Sequence, residues 1–257
     1  MKHRIRKDLL NLDKVELQAL NDGFEALVAI EGHGGYQHIA GVYGKPGQSY
    51  RPTTPYLFLP WHRAYLMAFE QMLGRAWPGT TLPYWDWTDK ATCKNGIPTR
   101  LRSVAYSDKD QGIWLNALCR APIDCLGHQY YTQRAPGKPA DMEPTVRKTT
   151  EACLQTCFEE FSNELEEASK EFRAWVGGHI SDDDFAAYDP LFWFHHANLD
   201  RIWADWQQVH PNSIPERLFD VTMEPFAVKV GAIVNRDQLG YIYSEVPPAG
   251  TRIDKRA

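Results

Sequence analysis

The sequence feature that most limits how this chain can fold is an aromatic segment close to residue 200. It reads Asp189-Pro190-Leu191-Phe192-Trp193-Phe194-His195-His196-Ala197-Asn198-Leu199-Asp200-Arg201-Ile202-Trp203. Asp followed by Pro is typical of a helix N-terminus, because the Asp carboxylate accepts from free backbone N–H groups and Pro has no such group to satisfy. We therefore predict a helix from Leu191 to about His210, the most aromatic helix of the chain.

Three further long helices and one shorter helix are predicted from the helical spacing of apolar residues. Their predicted starts are the capping box Asp13–Glu16, a position near Tyr36, Pro60 as a first-turn proline, and a position near Thr150. Their predicted ends are Gly32, Gly44, about Trp77, and Gly177. Four main helices with short partners pack most naturally as an antiparallel bundle.

Two regions outside these helices have a different pattern. Residues 88–149 are rich in Gly, Pro and polar residues and lack sustained periodicity, so we predict a long irregular segment there. Alternation at Val228–Val230 and at Tyr241–Tyr243 predicts two short strands or a hairpin. The predicted fold class is mainly α, with a four-helix core, long irregular loops and a short C-terminal β-strand pair. We expect a single domain over residues 1–257.

Composition excludes several classes of function. The 257 residues are 43% hydrophobic and 24% charged, and the net charge of −5 arises from interspersed charges of both signs. Because there is no basic stripe or polybasic patch, we expect neither a nucleic-acid nor a membrane partner. The apolar runs are too short to cross a bilayer. The basic N-terminus is not followed by the apolar region of a signal peptide, so we expect a cytoplasmic protein.

The chain has five cysteines, so at least one thiol is unpaired. Cys119 with Cys125, and Cys153 with Cys157, could each close a short loop. Reduced thiols are favoured in a cytosolic chain of this size. The disulfide state of these four residues and of Cys93 is left open.

Two segments resemble the metal-binding stretches of a known family. Phe58-Leu59-Pro60-Trp61-His62-Arg63-Ala64-Tyr65-Leu66 resembles the third-histidine stretch of the first copper site in tyrosinases and molluscan haemocyanins. The aromatic segment 189–203 resembles the corresponding stretch of the second site. Weaker resemblances occur, in family order, at Arg4–Lys7, Leu82–Trp87 and Leu239–Tyr243. On these motifs the chain is identified as a member of that family over nearly its whole length.

The resemblance implies a particular metal centre. In this family six histidines on four helices hold two copper ions, which bind dioxygen between them. The centre hydroxylates phenols, oxidises catechols or carries oxygen. Imidazole suits copper in both oxidation states, and three nitrogens for each metal leave an open face for oxygen and substrate.

Only two of the six implied ligand positions carry histidine, namely His62 and His196. The other four positions hold Tyr43, Thr53, Ser169 and Arg173. The second site of the family also needs two histidines four residues apart, which places both rings on one helical face. The nine histidines stand at positions 3, 33, 38, 62, 128, 179, 195, 196 and 210, and no two are four apart. We therefore do not expect a dinuclear copper centre.

Two more positions depart from the family pattern. Lys170 stands where tyrosinases often have an asparagine that helps to orient a catalytic water, and Asp183 stands where an apolar residue usually overhangs the site. Arg173 adds a permanent positive charge that opposes metal binding nearby. Arg173 could be a structural plug paired with Asp183, or it could bind an oxygen of a ligand. Both interpretations stay open.

The candidate site residues follow from these substitutions. His62 and His196 are the metal-ligand candidates and could share one zinc ion, with a third ligand from Asp183, His38, His128 or His195. The candidate catalytic residues are Arg173, Asp183, Tyr43 and His195, although His195 is also interpreted as a packing residue. Asp200, four residues after His196, is expected to orient that imidazole.

Three functions are compatible with these residues. The one we favour is a repurposed enzyme performing non-oxidative chemistry, such as a lyase or ring-rearranging reaction, on an aromatic small molecule of secondary metabolism, with one metal such as zinc or none. Haemocyanin-like cyclopenases, which are zinc-dependent ring-contracting enzymes of fungal quinolone biosynthesis, are a precedent in the family for such a change of function. The chain resembles them in this respect and shares no motif with them. The alternatives are a copper-dependent phenol or catechol oxidase with unusual ligands, and a non-catalytic binding pseudoenzyme. The sequence specifies neither the substrate nor the oligomeric state.

Overall fold

The computed structural model describes residues 3–108, 112–125, 127–235 and 238–244. The helices are α1 (Lys14–Ala29), α2 (Tyr36–Tyr43), α3 (Pro55–Ala76), α4 (Lys90–Asn95), α5 (Thr99–Arg102), α6 (Glu143–Ala152), α7 (Phe158–Val176) and α8 (Pro190–Val209). The strands are β1 (Arg4–Arg6), β2 (Ala105–Asp108), β3 (Gly112–Leu115), β4 (Pro122–Cys125), β5 (His128–Tyr131), β6 (Thr222–Met223), β7 (Val228–Lys229) and β8 (Tyr241–Tyr243).

Local capping chemistry starts two of the long helices where the sequence predicts. The Asp13 carboxylate accepts from the Glu16 N–H at 2.8 Å, and the Glu16 carboxylate accepts from the Asp13 N–H at 3.1 Å, which completes the capping box of α1. At α8 the Asp189 carboxylate accepts from the Leu191 N–H at 2.9 Å. Each cap satisfies backbone donors that the first helical turn leaves free.

The long helix α3 packs against α1, α7 and α8, and these four form the core. Every residue of α8 from Pro190 to Asp200 is buried, so this helix is enclosed by its neighbours. Its Trp193 ring stacks on Phe69 of α3, with ring centroids 3.7 Å apart and an angle of 11° between the planes. The predicted mainly α fold class with a four-helix core is confirmed.

The predicted start of α3 at Pro60 was wrong. The helix begins at Pro55, which takes the first-turn position that suits a proline. Pro60 lies inside the helix, where its missing N–H removes one backbone hydrogen bond, the one that would reach the Tyr56 carbonyl. Either proline could occupy the first turn of this helix, and the structure shows that Pro55 does so.

The helix predicted from about Thr150 is divided in two. It ends as α6 at Ala152 and resumes as α7 at Phe158. The Trp206 indole of α8 donates to the Gln155 carbonyl at 2.8 Å, which satisfies a backbone acceptor at the break. The end predicted at Gly177 is correct, because Gly177 adopts a φ of +63° that favours glycine.

The region predicted to be irregular contains two β-hairpins. β2 pairs with β3 and β4 pairs with β5, both antiparallel. These strands have four residues each, and β5 is exposed along its whole length, so no buried apolar alternation marked it in the sequence. The prediction of structureless chain over 88–149 was therefore wrong in part.

The C-terminal strands exist where predicted, but they do not pair with each other. β7 pairs with β6, and β8 pairs in parallel with β1, with Ile5 opposite Ile242. The reason is a buried charge cluster beneath β8: the Tyr241 hydroxyl donates to Asp200 of α8 at 2.6 Å, and Arg6 of β1 donates to the same carboxylate at 3.3 Å. Shared hydrogen bonding to Asp200 brings the two strands together.

Two smaller expectations concern membranes and thiols. Among the described residues, no helix is both long and apolar enough to cross a bilayer. Cys93, Cys119, Cys153 and Cys157 carry free thiols. The side chain of Cys125 lies outside the described part of the chain.

Candidate functional site

His62 on α3 and His196 on α8 face each other in the helical core, as the family resemblance predicts. Their rings are stacked, with centroids 4.2 Å apart and planes 5° from parallel. The His62 Nδ1 lies 2.8 Å from the Phe58 carbonyl oxygen one turn earlier, which fixes the ring orientation. We call the space beside these rings the His62–His196 cavity.

Three ring nitrogens of this pair are buried and have no hydrogen-bond partner among the residues that the structure describes: Nε2 of His62 and both nitrogens of His196. Burial is the main reason that the pKa of His62 is lowered to about 3; the hydrogen bond with Phe58 opposes this effect, and the charges of Arg173 and Arg51 add to it. Burial likewise holds the pKa of His196 well below its usual range. Both rings are therefore neutral. Each buried polar atom that is left unpaired costs on the order of 1–3 kcal/mol of stability.

The donor set does not fit the copper centre of the family. The structure places Tyr43, Ser169 and Arg173 around the two histidines, and none supplies the imidazole nitrogen that the site requires. Thr53, at the fourth substituted position, is exposed.

A shared zinc ion is not favoured by the ring geometry either. The lone pairs of two parallel imidazoles lie in parallel planes, so in this arrangement they do not converge on one ion. Tetrahedral zinc also needs more protein donors than two. Within the described ranges no group of three or more His, Cys, Asp or Glu side chains could hold a metal.

The four suggested third ligands are all engaged or placed elsewhere. His38 packs edge-on against His33, with centroids 4.7 Å apart, and His128 lies exposed on β5. His195 is turned away from the cavity, with its Nε2 2.8 Å from the Ser169 hydroxyl oxygen. Asp183 forms ion pairs with Arg173 and Arg51.

His195 is buried between α8 and α7. Its ring stacks on Phe172, with centroids 4.2 Å apart and planes 4° from parallel, and Trp87 lies 5.4 Å away. It does not line the His62–His196 cavity. This placement agrees with the packing interpretation of His195, while its suggested catalytic role stays a prediction.

Arg173 and Asp183 form the ion pair that the sequence suggested. Arg173 Nη1 donates to Asp183 Oδ1 at 2.9 Å and to the Ile180 carbonyl at 3.3 Å. A second cation, Arg51, lies 2.8 Å from Asp183 Oδ2. The Arg173 side chain is 8% exposed and the Asp183 side chain 45%, so the carboxylate closes the cavity from its solvent side.

Tyr43 lines the same cavity from the end of α2. Its ring centroid is 5.8 Å from that of His62 and 4.8 Å from that of Phe192. Burial raises the pKa of the Tyr43 phenol, although the Arg173 and Arg51 charges oppose the rise. Tyr43 is therefore a neutral hydrogen-bond donor at neutral pH.

Sequence reasoning missed Arg51 and Glu166. Both line the cavity, Arg51 from the loop between α2 and α3 and Glu166 from α7, where it pairs with Lys170 at 3.1 Å. Arg51 stands two residues before Thr53, and this closeness to a substituted ligand position was the signal by which the sequence could have revealed it. Glu166 lies four residues before Lys170, and residues at this spacing are neighbours on one face of a helix, so Glu166 could have been found from the position of Lys170.

The predicted role of Asp200 was wrong. Its carboxylate accepts from the Arg63 Nε at 2.6 Å and from the Tyr241 hydroxyl at 2.6 Å, while neither nitrogen of His196 has a partner in the described part of the chain. A carboxylate is stabilised more by buried guanidinium groups than by a neutral imidazole. Burial alone would raise the pKa of Asp200, but the Arg63 and Arg6 charges outweigh it and hold the pKa below its usual range.

The cavity itself is small and positively charged. Its volume is about 50 Å³, below the roughly 150 Å³ of a cavity known to hold benzene. The charged lining residues are three cations and two carboxylates, so the lining carries a net charge of +1 with the histidines neutral: Arg51, Lys170, Arg173, Glu166 and Asp183. In this state the cavity is closed to an aromatic ring.

Comparison with known proteins shows the family to which the sequence is similar. The sequence family described as "Common central domain of tyrosinase" matches residues 24–209. Hemocyanin 1 of Megathura crenulata is 33% identical over 225 residues, which cover 80% of this chain and 6% of that protein. A tyrosinase of Streptomyces antibioticus is 29% identical over 176 residues, which cover 61% of this chain and 64% of that protein. The chain thus spans only a small fraction of the haemocyanin that it matches.

Solved structures agree with the sequence matches. A functional unit of octopus haemocyanin aligns with a TM-score of 0.78 at 25% identity, covering 94% of this chain and 68% of that one. A tyrosinase from Burkholderia thailandensis aligns with a TM-score of 0.80 at 19% identity, covering 96% of this chain and 75% of that one. At that lower identity the likeness shows a shared fold alone.

Proposed function

The chain belongs to the tyrosinase family, and on that basis we propose that it binds a small aromatic molecule in the His62–His196 cavity and acts on it without dioxygen. The observation that carries the proposal is the exchange of four ligand positions around two histidines that still face each other. A hydroxyl at Ser169 and a guanidinium at Arg173 cannot replace the helical histidine pair as copper donors. The unpaired nitrogens of His62 and His196 remain as buried polar groups for a ligand.

An aromatic ligand is supported by the walls of the cavity. Phe58 lies 4.5 Å from His62 and Phe192 lies 4.1 Å from His196, measured between ring centroids. Phe58 and Tyr43 line the cavity, and Phe192 packs against Tyr43 and His196, so an aromatic wall lies beside the charged lining residues. Aromatic walls with a few placed polar groups are usual in small-molecule sites. Rings in such surroundings gain from offset or edge-to-face contacts.

The polar groups favour proton-transfer chemistry over electron transfer. Neutral His62 and His196 present ring nitrogens that accept or donate a hydrogen bond, and the neutral Tyr43 phenol donates one. Arg173 stabilises negative charge that develops on a ligand oxygen. A zinc-assisted form of the reaction would need a third ligand that the described residues do not bring to the histidines, so we propose the metal-free form.

Ligand entry requires the cavity to open on its solvent side. Arg51 and Asp183 close it there, and their side chains are 34% and 45% exposed. An ion pair with this exposure contributes only about 0–1 kcal/mol to stability. Separating Arg51 from Asp183 to admit a ring therefore costs little stability.

Binding of single-ring probes to metal-free protein tests the proposal. After dialysis against EDTA, we expect benzyl alcohol, benzamide or benzoate to bind saturably by calorimetry. His196→Phe should abolish this binding, because a phenyl ring removes both nitrogens and fills the cavity. His33→Phe is the matched control, since His33 is an exposed residue outside the site, and it should bind like the wild type.

The contrary results are equally definite. If none of the three probes binds, or if His196→Phe binds them unchanged, the cavity is not an aromatic site. The names of the relatives favour a copper oxidase as the second candidate. Two copper ions bound for each chain, with oxidation of catechol above the rate of free copper, would replace the proposal with that function.

A further inference from the structure

Resting on the proposed function, we propose that the ligand of the His62–His196 cavity is an aromatic carboxylate, and that Asp183 holds the place of the ligand carboxylate until the ligand arrives. The charge arrangement at the cavity entrance carries this inference. One carboxylate lies between two guanidinium groups from separate parts of the chain, Arg173 on α7 and Arg51 in the loop before α3.

Arg173 requires an anion at this position. Its side chain is 8% exposed, and an uncompensated guanidinium at such depth is costly. Asp183 supplies the anion, yet its own side chain is 45% exposed and can be solvated when it leaves. The cation is thus fixed and the anion is exchangeable, which is the asymmetry expected of a binding site for an external carboxylate.

The backbone of Asp183 is held in place, while its half-exposed side chain is held only by the two arginines. A Cβ atom added to Gly44, at the end of α2, would lie 2.2 Å from the Asp183 carbonyl oxygen, so the two backbones are in close contact. Asp183 therefore stays tethered at the entrance and competes with a ligand as an intramolecular anion. Tethered groups of this kind act at effective concentrations in the millimolar range.

The neighbouring rings specify the rest of the ligand. The Arg173 guanidinium carbon lies 5.9 Å from the Tyr43 ring centroid, and that centroid lies 5.8 Å from the His62 ring. A carboxylate bound at Arg173 thus places its substituent among aromatic rings. The net positive lining of the cavity also favours an anion over a neutral molecule.

Benzoate, benzamide and acetate are the probes that test the inference. For the wild type we expect benzoate to bind about tenfold more tightly than benzamide, and acetate to bind more weakly than benzoate. Asp183→Asn should tighten benzoate binding about tenfold and leave benzamide within about twofold, because only the charged probe competes with Asp183. Arg173→Met should weaken benzoate at least tenfold, and Arg173→Lys should fall between.

Asp182→Asn is the matched control, because it removes the same charge one residue away. Asp182 accepts from the Asp184 N–H and does not line the cavity. Its effect on benzoate measures general electrostatics, and the Asp183 effect must exceed it. The gain of binding in Asp183→Asn also cannot come from a failure to fold.

The possible failures are distinguishable. If benzamide binds as tightly as benzoate, or if Asp183→Asn weakens benzoate binding, the carboxylate inference is wrong and the aromatic site stands. If acetate binds as tightly as benzoate, the cavity is a plain anion site and the inference is wrong in its aromatic part. If no probe binds, both the inference and the proposed function fail.

Discussion

Asp200→Asn should destabilise this protein strongly, because it breaks a buried charge cluster that joins both ends of the fold. The Asp200 carboxylate accepts from Arg63 at 2.6 Å and from Arg6 at 3.3 Å. Both arginine side chains are 0% exposed. Arg6 keeps Glu70 as a second anion at 3.0 Å, whereas the other polar partners of Arg63 are a carbonyl and an amide. The asparagine amide would also turn N–H groups toward these donors.

The magnitude follows from the cost of an unpaired buried charge. Removal of one partner from a buried ion pair costs about 3–5 kcal/mol. With a urea m-value of roughly 3 kcal/mol/M for a large single domain, the unfolding midpoint should fall by about 1–1.7 M. Asp205→Asn on the same helix is the control, since Asp205 is 56% exposed and pairs with Arg201 at the surface. Its midpoint should move by less than about 0.3 M.

The same variant should show a defined pH dependence. The folded-state pKa of Asp200 lies below its usual value because Arg63 and Arg6 outweigh burial. A carboxyl with a lowered folded pKa adds stability above its unfolded pKa of about 4 and loses it as the pH falls through the folded pKa. The stability difference between wild type and Asp200→Asn should therefore narrow below about pH 4. A midpoint shift equal to that of Asp205→Asn, or a difference that does not depend on pH, would refute this account of the cluster.

Two further predictions concern the His62–His196 cavity. Arg173→Met, Asp183→Asn and the double variant should show a stability coupling below about 1 kcal/mol by urea unfolding. Asp183 is 45% exposed and keeps Arg51 when Arg173 is removed, while Arg173 keeps the Ile180 carbonyl and can donate to the asparagine oxygen when Asp183 is changed. A coupling above about 2 kcal/mol would make the pair structural. Copper-reconstituted protein should show no peroxide-to-copper absorption band, and it should oxidise catechol no faster than free copper does. The reason is that only His62 and His196 remain of the six ligands. Sustained turnover of catechol would contradict this argument.

The parts of the fold that follow from local chemistry could be predicted from the sequence. Asp13 and Asp189 cap their helices, and Gly177 ends α7, because each acts on backbone groups within a few residues. The facing of His62 and His196 was also predictable, but only through the resemblance of two motifs to a known family. Helical periodicity by itself places a residue on a face without naming the residue opposite.

The parts that were missed depend on partners distant in sequence. Asp200 lies four residues after His196, so local spacing suggested a contact, but Arg63 on another helix attracts the carboxylate more strongly. The Asp200 carboxylate also accepts from the Tyr241 hydroxyl of β8, and β8 pairs with β1. The alternation of residues along a strand does not reveal which strand will be its partner. Arg51 reaches Asp183 from a loop, where no periodicity marks its direction.

The parallel pairing of β1 with β8 has a consequence for synthesis on the ribosome. Ile5 lies opposite Ile242, so this contact joins residues that are far apart in the sequence. Closing so long a loop is entropically costly, and contacts of this kind slow folding. Until Tyr241 and Tyr243 have left the exit tunnel, Asp200 lacks two hydroxyl partners and Arg6 lacks one. The nascent helices can form in order of synthesis, but the buried cluster around Asp200 becomes fully hydrogen-bonded only after β8 has been made.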